Sequence, residues 1–478
     1  MTTDDLFRVR LDQMIDLRHP LAVLARQMPW AQLEAMLAPA LAHKARKGTP
    51  IEGTDLFGPT LQVAGAGVSA AGRPRLPVRL MVSLLYLKHA FNLSDEELVD
   101  RWSENTVWQY FSGQVHYEHR RPCDPSQIGR FRTAIGEAGV EELLKATIDT
   151  AVATKAVGKS EFEKVIVDTT VQEKAIAHPT DSRLLEIARH QIVKAAKAVG
   201  LKLKKTFAAE GAQLRRLAGG YAHAKQFKRL KRVLRRQRTV LGIVLREVAR
   251  KVDALKSAPA PALAKLNTLR ERAARIHKQQ PRDKNKLYAL HAPEVEAISK
   301  GKARKRWEFG VKASVAVTLR RGLIVGARTF AGNPFDGSTL RGQLEQTGIL
   351  LEDIGVAPKQ AFVDLGYRGV DAENPGVDVV HRGRIRTMSK QQRRWLRRRQ
   401  AVEPVIGHLK ADHRMDRCWL KGATGDALHA VLCAAGFNLR WLMRAVQRGW
   451  IRRHFAALFA WVAMQLHGPR SVTLAMRT

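Results

Sequence analysis

The first 45 residues carry apolar side chains at the three-to-four spacing of a buried helix face, and this spacing predicts helices that contribute to a core. The positions that carry it are Leu21, Leu24, Met28, Leu33, Met36 and Leu37. The stretch that follows, up to about Pro77, is rich in glycine and proline and has no helical period. It therefore predicts a loop or linker.

Helical spacing returns between Val78 and Phe111. Within this region Ser94 and Glu97 have the spacing of a capping box, which predicts the start of a second helix and a tight joint between the two. Such a pair is either a helix-turn-helix that reads DNA or part of a packed bundle. We favour the bundle, while the basic composition of the chain keeps DNA contact open.

Strand patterns begin after residue 163. A β-branched run at residues 165–167 leads into Asp168, and a second short apolar run leads into Asp364. Between them, two apolar runs flank a turn at residues 320–322 and predict a β-hairpin over about residues 307–329. With helices before and after these strands, the predicted fold class is α/β, with a mixed sheet flanked by helices.

A strongly basic block lies between the first strand and the hairpin. From residue 183 to residue 285, Lys and Arg greatly outnumber Asp and Glu. Gly219 and Gly220 interrupt this block, and an apolar repeat of seven residues follows them, so we predict an antiparallel helical hairpin inserted into the sheet domain. The repeat consists of Leu234, Leu241, Val248 and Leu255.

The cations on this hairpin either form a solvated face or bind phosphate groups. Few acidic residues are near enough in sequence to pair with them, so we favour phosphate binding. The predicted DNA-binding residues of this helix are Lys228, Arg229, Lys231, Arg232, Arg235 and Arg236.

Net charge narrows the class of partner. The 478 residues include 82 Lys and Arg against 44 Asp and Glu, which gives a formal net charge of +38 and a pI near 10.8. The content of 45% hydrophobic and 26% charged residues is that of a globular protein. Because cations that neutralise phosphates release counterions, nucleic acid is the expected ligand, ahead of an anionic membrane surface or a ribosome-like structural role.

The cysteines and the apolar segments indicate the cellular compartment in which the protein is expected. Cys123, Cys418 and Cys433 lack CxxC spacing and predict neither a zinc site nor a disulfide framework. The N-terminus lacks the apolar core of a secretory signal. The apolar stretch at residues 455–466 is shorter than the roughly 20 residues of a membrane-spanning helix. We therefore expect a cytoplasmic protein without a membrane partner.

Three carboxylates are the candidate chemistry of the sheet. Asp168 and Asp364 end two apolar runs, and Glu403 lies on a later helix that can bring it to the same cleft. Mg²⁺ prefers oxygen ligands and keeps waters and substrate phosphate oxygens in its shell. Two such ions about 4 Å apart activate an attacking water or 3′-hydroxyl and stabilise the leaving oxygen. The set therefore suits phosphoryl transfer.

These residues resemble the Asp–Asp–Glu (DDE) triad of insertion-sequence transposases. The sequence RRRQAVEPVIGHLK is similar to the Y-R-E-K pattern of that family, with Arg399 before Glu403, Lys410 after it and Leu396 at the tyrosine position. The segments VDTTVQEKAIAHPTDSRLL and AGNPFDGSTL are also similar, and the resemblance covers most of residues 15–445. On these motifs the chain is identified as a member of the insertion-sequence-five type within the insertion-sequence-four-like superfamily.

The resemblance implies an RNase H-like catalytic core, with an N-terminal helical domain and the basic hairpin as an insertion. It implies metal-dependent DNA strand cleavage and strand transfer by Asp168, Asp364 and Glu403, which would also hold Mg²⁺ or, in its place, Mn²⁺. The implied partners are double-stranded DNA, as terminal inverted repeats and as target, and a second copy of the chain in a synaptic complex. The implied location is the bacterial nucleoid.

Further DNA contacts are expected close to the triad, from Arg368, Arg399 and Lys410. In one continuous helix, Arg399 and Lys410 would lie within about 40° of Glu403. Pro404 complicates this arrangement, because it either kinks the helix or restarts it near Glu403.

Other polar and aromatic residues carry weaker signals. Asp336, in the sequence GNPFDG, is predicted to be a turn residue. Trp307 and Tyr367 either stack on an unpaired base or pack in a core. Four histidines without metal-ligand spacing are expected to contact DNA or the core; they are His178, His291, His381 and His408.

These patterns divide the chain into five parts. They are an N-terminal helical domain with an expected DNA contact (1–125), a linker helix with the first catalytic strands (126–182), the basic insertion (183–285), the rest of the catalytic domain (286–445) and a helical tail (446–478). Two other functions stay open: a catalytically inactive DNA-binding repressor derived from a transposase, and an RNase H-like nuclease without strand transfer.

Overall fold

The computed structural model describes residues 9–42, 49–55, 58–64, 75–253, 259–299 and 306–467, with the backbone alone for 49–55, 58–64 and 450–467. The helices in these ranges are α1 (Leu11–Met14), α2 (Pro20–Gln27), α3 (Trp30–Leu41), α4 (Val78–Ala90), α5 (Asp95–Glu104), α6 (Thr106–Phe111), α7 (Pro125–Ala153), α8 (Asp181–Ala198), α9 (Ala208–His223), α10 (Phe227–Val252), α11 (Ala260–Lys278), α12 (Leu340–Leu351), α13 (Lys390–Arg398), α14 (Val402–Asp412) and α15 (Gly422–His467). The strands are β1 (Thr49–Asp55), β2 (Gly58–Ala64), β3 (Lys164–Glu173), β4 (Glu296–Ile298), β5 (Glu308–Thr318), β6 (Ile324–Phe330), β7 (Gln360–Phe362) and β8 (Asp378–Val380).

The N-terminal helices form a packed bundle. The predicted capping box is confirmed, because the Ser94 hydroxyl accepts from the Glu97 amide while the Glu97 carboxylate accepts from the Ser94 amide. Three helices, α4 to α6, occupy the region for which two were predicted. Every residue of α4 from Leu80 to Ala90 is buried, so this helix packs inside the bundle and has no face for a DNA groove.

The glycine- and proline-rich stretch contains two strands. β1 and β2 pair antiparallel along their whole length, from Thr49 opposite Ala64 to Asp55 opposite Gly58. The prediction of a loop was therefore wrong at these residues. Both segments also contain Thr with Ile or Val, residue types that favour strands.

The main sheet is mixed and has β3 near its centre. Its strand order is β4-β5-β3-β7-β8, and β6 also pairs with β5. β3 pairs antiparallel with β5 and parallel with β7, which in turn pairs parallel with β8. The predicted hairpin is present as β5 and β6, with Gly322 at a φ of 68° in its turn. A positive φ of this kind is favourable for glycine.

Two buried amides complete the hydrogen bonding of β6. Asn438 on α15 bonds both the amide and the carbonyl group of Ile324, at 3.0 and 2.9 Å. Gln346 on α12 does the same at Ala327, at 3.0 and 3.3 Å. These contacts satisfy backbone groups that would otherwise be buried without partners.

β3 is longer than the sequence suggested. Asp168 was expected near the end of its strand, but β3 continues past it to Glu173. The polar residues that follow Asp168 in this strand, among them Thr170 and Gln172, are buried. They lie opposite β5, and the Gln172 side chain donates to the Asp426 carbonyl oxygen at 2.9 Å.

The basic insertion is more than a hairpin. α8, α10 and α11 pack around a second apolar core, separate from the core that joins the N-terminal helices, the sheet and α15. Leu234, Leu241 and Val248 contribute to this second core as predicted, while Leu255 lies outside the described residues. The predicted separation of two packed helices is present as α9 and α10, but it lies at residues 224–226 and not at Gly219–Gly220, since α9 continues through both glycines to His223.

The C-terminal part contains the break that Pro404 suggested. α13 ends at Arg398, a 3-10 turn covers Arg399–Ala401, and α14 begins at Val402. The helix therefore restarts, and Pro404 lies in its first turn, where the missing amide hydrogen costs little. Further on, α15 runs through residues 445 and 446, so the predicted division there falls inside one helix.

Candidate active site

Asp168 and Asp364 occupy matching positions on two neighbouring parallel strands. β3 and β7 pair with Ile166 opposite Phe362, and each aspartate lies two residues further along its chain segment. Asp364 is exposed and starts a 3-10 turn, with the Gly366 amide donating to its carboxylate at 3.4 Å. The structure thus brings the two predicted aspartates to the same end of the parallel pair.

Arg399 joins the C-terminal helices to the first aspartate. Its Nη1 lies 3.5 Å from Oδ2 of Asp168, and the two side chains are only 13% and 20% exposed. The other carboxylate oxygen of Asp168 accepts from the Thr169 amide at 2.8 Å. These contacts hold the Asp168 carboxylate in one orientation.

Glu403 lies on the first turn of α14, and this helix packs against β3. Val402 and Val405 of the same turn are buried, whereas the Glu403 side chain is exposed. The predicted 40° alignment with Arg399 assumed one continuous helix, so the 3-10 turn between the two residues removes its basis. Packing against β3, and not helix periodicity, brings this segment to the sheet.

Tyr367 anchors the loop that carries Asp364. It is fully buried, which excludes stacking on a DNA base and favours the alternative of core packing. Burial raises the pKa of Tyr367 well above its ordinary value, and the negative charges of Asp168, Asp336 and Asp364 raise that pKa further. The phenol therefore keeps its proton at neutral pH, among three carboxylates.

Asp336 was predicted to be a turn residue, but its carboxylate also contacts several residues of this site. It precedes the 3-10 turn 337–339, but its side chain does not cap that turn. Its carboxylate accepts hydrogen bonds from Thr169 Oγ1 at 2.9 Å and from Lys312 Nζ at 2.8 Å. A Cβ atom on Gly366 would lie 3.3 Å from Asp336 Oδ2, so this carboxylate also packs against the loop of Asp364.

The remaining residues predicted near the triad differ in their surroundings. Arg368 is exposed and follows Tyr367 directly. Lys410 lies on the last turn of α14, with its Nζ 3.8 Å from Oε2 of the buried Glu308. Trp307, at 46% exposure, keeps an accessible ring.

The predicted DNA-binding cations of α10 lie on its exposed face. Their neighbours Val233, Gln237 and Val240 are buried on the opposite face. Arg236 is paired with Glu210 at 2.6 Å, and the Arg229 guanidinium lies 5.8 Å from the centre of the Tyr221 ring. The exposed set consists of Lys228, Arg229, Lys231, Arg232, Arg235 and Arg236.

Within the described part of the chain, no helix has an apolar stretch long enough to cross a membrane.

Comparison with known proteins gives two partial family matches. Residues 55–134 match the model described as "Transposase domain (DUF772)", and residues 376–443 match the one described as "Transposase DDE domain". The second match contains Arg399, Glu403 and Lys410. An uncharacterized protein, ORF8 in the nfe locus of Rhizobium meliloti, is 40% identical over 224 residues, which is 47% of this chain and 95% of that protein. No solved structure matches the chain.

Proposed function

Because this chain belongs to the DDE transposase family, we propose that it binds the ends of an insertion sequence and catalyses DNA cleavage and strand transfer with Asp168, Asp364 and Glu403. The observation that carries the proposal is the matching register of the two aspartates on paired parallel strands. The packing of α14 against β3 supports the third member of the triad. The insertion-sequence-five type is the subgroup we assign on the Y-R-E-K resemblance.

We assign the sheet domain to the RNase H-like class. A central β3 with an antiparallel neighbour on one side and parallel neighbours on the other, covered by helices, supports this assignment. The separate core of α8, α10 and α11 supports the interpretation of the basic block as an insertion between β3 and β4.

The donor set fits a hard divalent cation. Asp168, Asp364 and Glu403 offer carboxylate oxygens, and two of these side chains are exposed. We propose that they hold Mg²⁺, with Mn²⁺ as a substitute. When bound, the ion supplies positive charge that stabilises the attacking and leaving oxygens of an in-line displacement at phosphorus.

The protein's own residues position the reacting groups. The contacts of Arg399 and Thr169 fix the orientation of Asp168, while Asp336 ties β3 and β5 to the loop of Asp364. In the first reaction, water attacks a phosphodiester at the element end and the 3′-oxygen leaves as a hydroxyl. In the second, that hydroxyl attacks a target phosphodiester, so one P–O bond forms as another breaks.

DNA binding is assigned to two sets of cations. Arg368, Arg399 and Lys410 belong to the neighbourhood of the triad and would contact the strand being cut. The exposed cations of α10 would contact phosphates further along the element end. Two ends must be held together, so a dimer is the smallest symmetric assembly that serves.

The test is divalent-metal-dependent cleavage and joining of duplexes that carry the inverted repeats bordering the gene. Asp168→Asn, Asp364→Asn and Glu403→Gln should each abolish both reactions and retain DNA binding. Asp371→Asn serves as the matched control, because Asp371 is an exposed aspartate paired with Arg384 outside the triad.

The outcomes separate the three candidate functions. Cleavage that survives one substitution removes that residue from the triad. Cleavage without joining of paired ends indicates a nuclease. Binding without any cleavage by the native chain indicates a repressor derived from a transposase.

A further inference from the structure

A cluster of soft metal-ligand side chains lies between α4 and α15. His89, His429 and Cys433 each offer a ligand atom, and these atoms all lie within 4.8 Å of one another. The three side chains are buried, with exposures of 1%, 4% and 0%. Two histidines and a thiol are seldom buried together unless they form hydrogen bonds with one another or bind an ion.

Helix geometry explains why these residues meet. His429, Cys433 and Gly436 follow one another at four and three residues, so they share one face of α15. A Cβ atom on Gly436 would lie 2.5 Å from the His89 carbonyl carbon, which means that the two helices touch at this glycine. The close approach places His89 opposite the other two donors.

The hydrogen bonds around the cluster leave suitable lone pairs. His429 Nε2 bonds the Arg414 carbonyl oxygen at 2.8 Å, so it carries the proton and Nδ1 keeps a lone pair. Metal-binding histidines are commonly oriented by such a bond from the other ring nitrogen to a backbone carbonyl. His89 Nδ1 lies 3.7 Å from Cys433 Sγ, a separation that a zinc ion with Zn–N of about 2.0 Å and Zn–S of about 2.3 Å can span.

We propose that His89, His429 and Cys433 bind a zinc ion that joins α4 to α15. Two imidazoles and one thiolate form a zinc donor set, and a water molecule or a carbonyl oxygen would fill the fourth tetrahedral position. The Cys433 thiol gives its proton to solvent as the sulfur–zinc bond forms. Because α15 also bonds β6 through Asn438, the ion would connect the N-terminal bundle to the catalytic sheet.

The donor atoms favour zinc over a hard cation. His89 and His429 offer imidazole nitrogens and Cys433 offers a thiol sulfur. Zinc binds nitrogen and thiolate sulfur, whereas Mg²⁺ and Ca²⁺ prefer oxygen ligands.

The experiment is metal analysis of the full chain purified without chelator, followed by Co²⁺ substitution. We expect about one zinc ion per chain, and in the Co²⁺ form an intense tetrahedral ligand-field spectrum with a thiolate-to-cobalt charge-transfer band. Cys433→Ser should lose the charge-transfer band and most of the zinc. Cys123→Ser is the matched control and should keep both, because Cys123 is a half-buried free cysteine outside the cluster.

The wild-type spectrum decides the question even where a variant fails to fold. A native chain with less than about a tenth of an ion and no thiolate band would overturn the proposal. A band retained in Cys433→Ser would overturn the assignment of the ligand. Cobalt bound by the carboxylate triad gives no thiolate band, so neither result depends on the proposed transposase activity.

Discussion

The exposed cations of α10 allow a quantitative test of DNA binding. Four of them, on the face away from the second core, have no ion pair, side-chain hydrogen bond or ring contact among the described contacts; they are Lys228, Lys231, Arg232 and Arg235. Replacing all four with Gln removes the charges and keeps helix propensity nearly constant. Because these side chains are exposed, the fold of the insertion should not change.

The expected effect follows from counterion release. Each phosphate that a cation neutralises contributes about 0.9 to the slope of log affinity against log salt, so four contacts contribute about 3.6. The quadruple variant should show a slope smaller by that amount. Both proteins lose affinity as the salt rises from 50 to 200 mM. Over this range the loss for the quadruple variant should be smaller than the loss for the native chain by a factor on the order of 100.

The assay is fluorescence anisotropy of a labelled duplex at several KCl concentrations, with circular dichroism to verify the helices. A charge-matched control replaces four exposed cations on and after α11, namely Lys265, Lys278, Arg282 and Lys284. Arg236→Gln alone should change the slope little, because Glu210 already pairs with Arg236. Equal slopes for the quadruple variant and the native chain, with α10 still helical, would show that this face is only solvated.

Three stability predictions follow from buried contacts. Burial raises the pKa of Asp149 to about 6, above the value in the unfolded chain, so the folded protein is destabilised as this carboxyl group ionises with rising pH. Asp149→Asn removes that charge and should raise the free energy of urea unfolding at pH 7.5 by about 1–2 kcal/mol. Near pH 4.5, where the buried carboxyl group is protonated, the substitution should change this free energy little. Asn438→Leu leaves the amide and carbonyl of Ile324 without partners and should cost about 4 kcal/mol; a loss below about 1 kcal/mol would contradict the role given to this amide. Gly436→Ala should lower Tm because its Cβ meets the backbone of α4, whereas Gly449→Ala, with nothing within 4 Å, should leave Tm equal or higher.

Local patterns were enough to predict β3, β5, β6 and β7 and to locate the two aspartates, but not to predict β1 and β2. The apolar runs before Asp168 and Asp364 form β3 and β7. Because these strands pair in parallel, the two aspartates lie at the same end of the pair, as expected. The length of β3 was not predictable in this way. Thr170 and Gln172 are polar, so the apolar run did not extend to them, but β5 and α15 bury them, and α15 supplies a partner for Gln172 from a segment far along the chain.

Contacts distant in sequence account for the other differences. Asp336 bonds Thr169 across 167 residues, so its neighbours in GNPFDG gave no sign of this partner. Likewise, His429 and Cys433 have a visible helical spacing, but the third donor, His89, lies 344 residues before Cys433. In the insertion, a seven-residue repeat describes α10 alone and carries no information on the helices that pack around it.

The break between α13 and α14 separates the side chains of Arg399 and Glu403, which a single helix would have placed on one face. A residue advances by about 100° in an α-helix and by about 120° in a 3-10 helix, so four steps that include a 3-10 turn rotate Glu403 further from Arg399 than the 40° of a continuous helix. The Arg399 side chain contacts Asp168, while the Glu403 side chain is exposed to solvent. Pro404 favours this arrangement, because a proline in the first helical turn lacks only an amide hydrogen that would have no helical partner there. The restart of the helix therefore lets one short segment both contact Asp168 through Arg399 and keep Glu403 exposed, as the proposed triad requires.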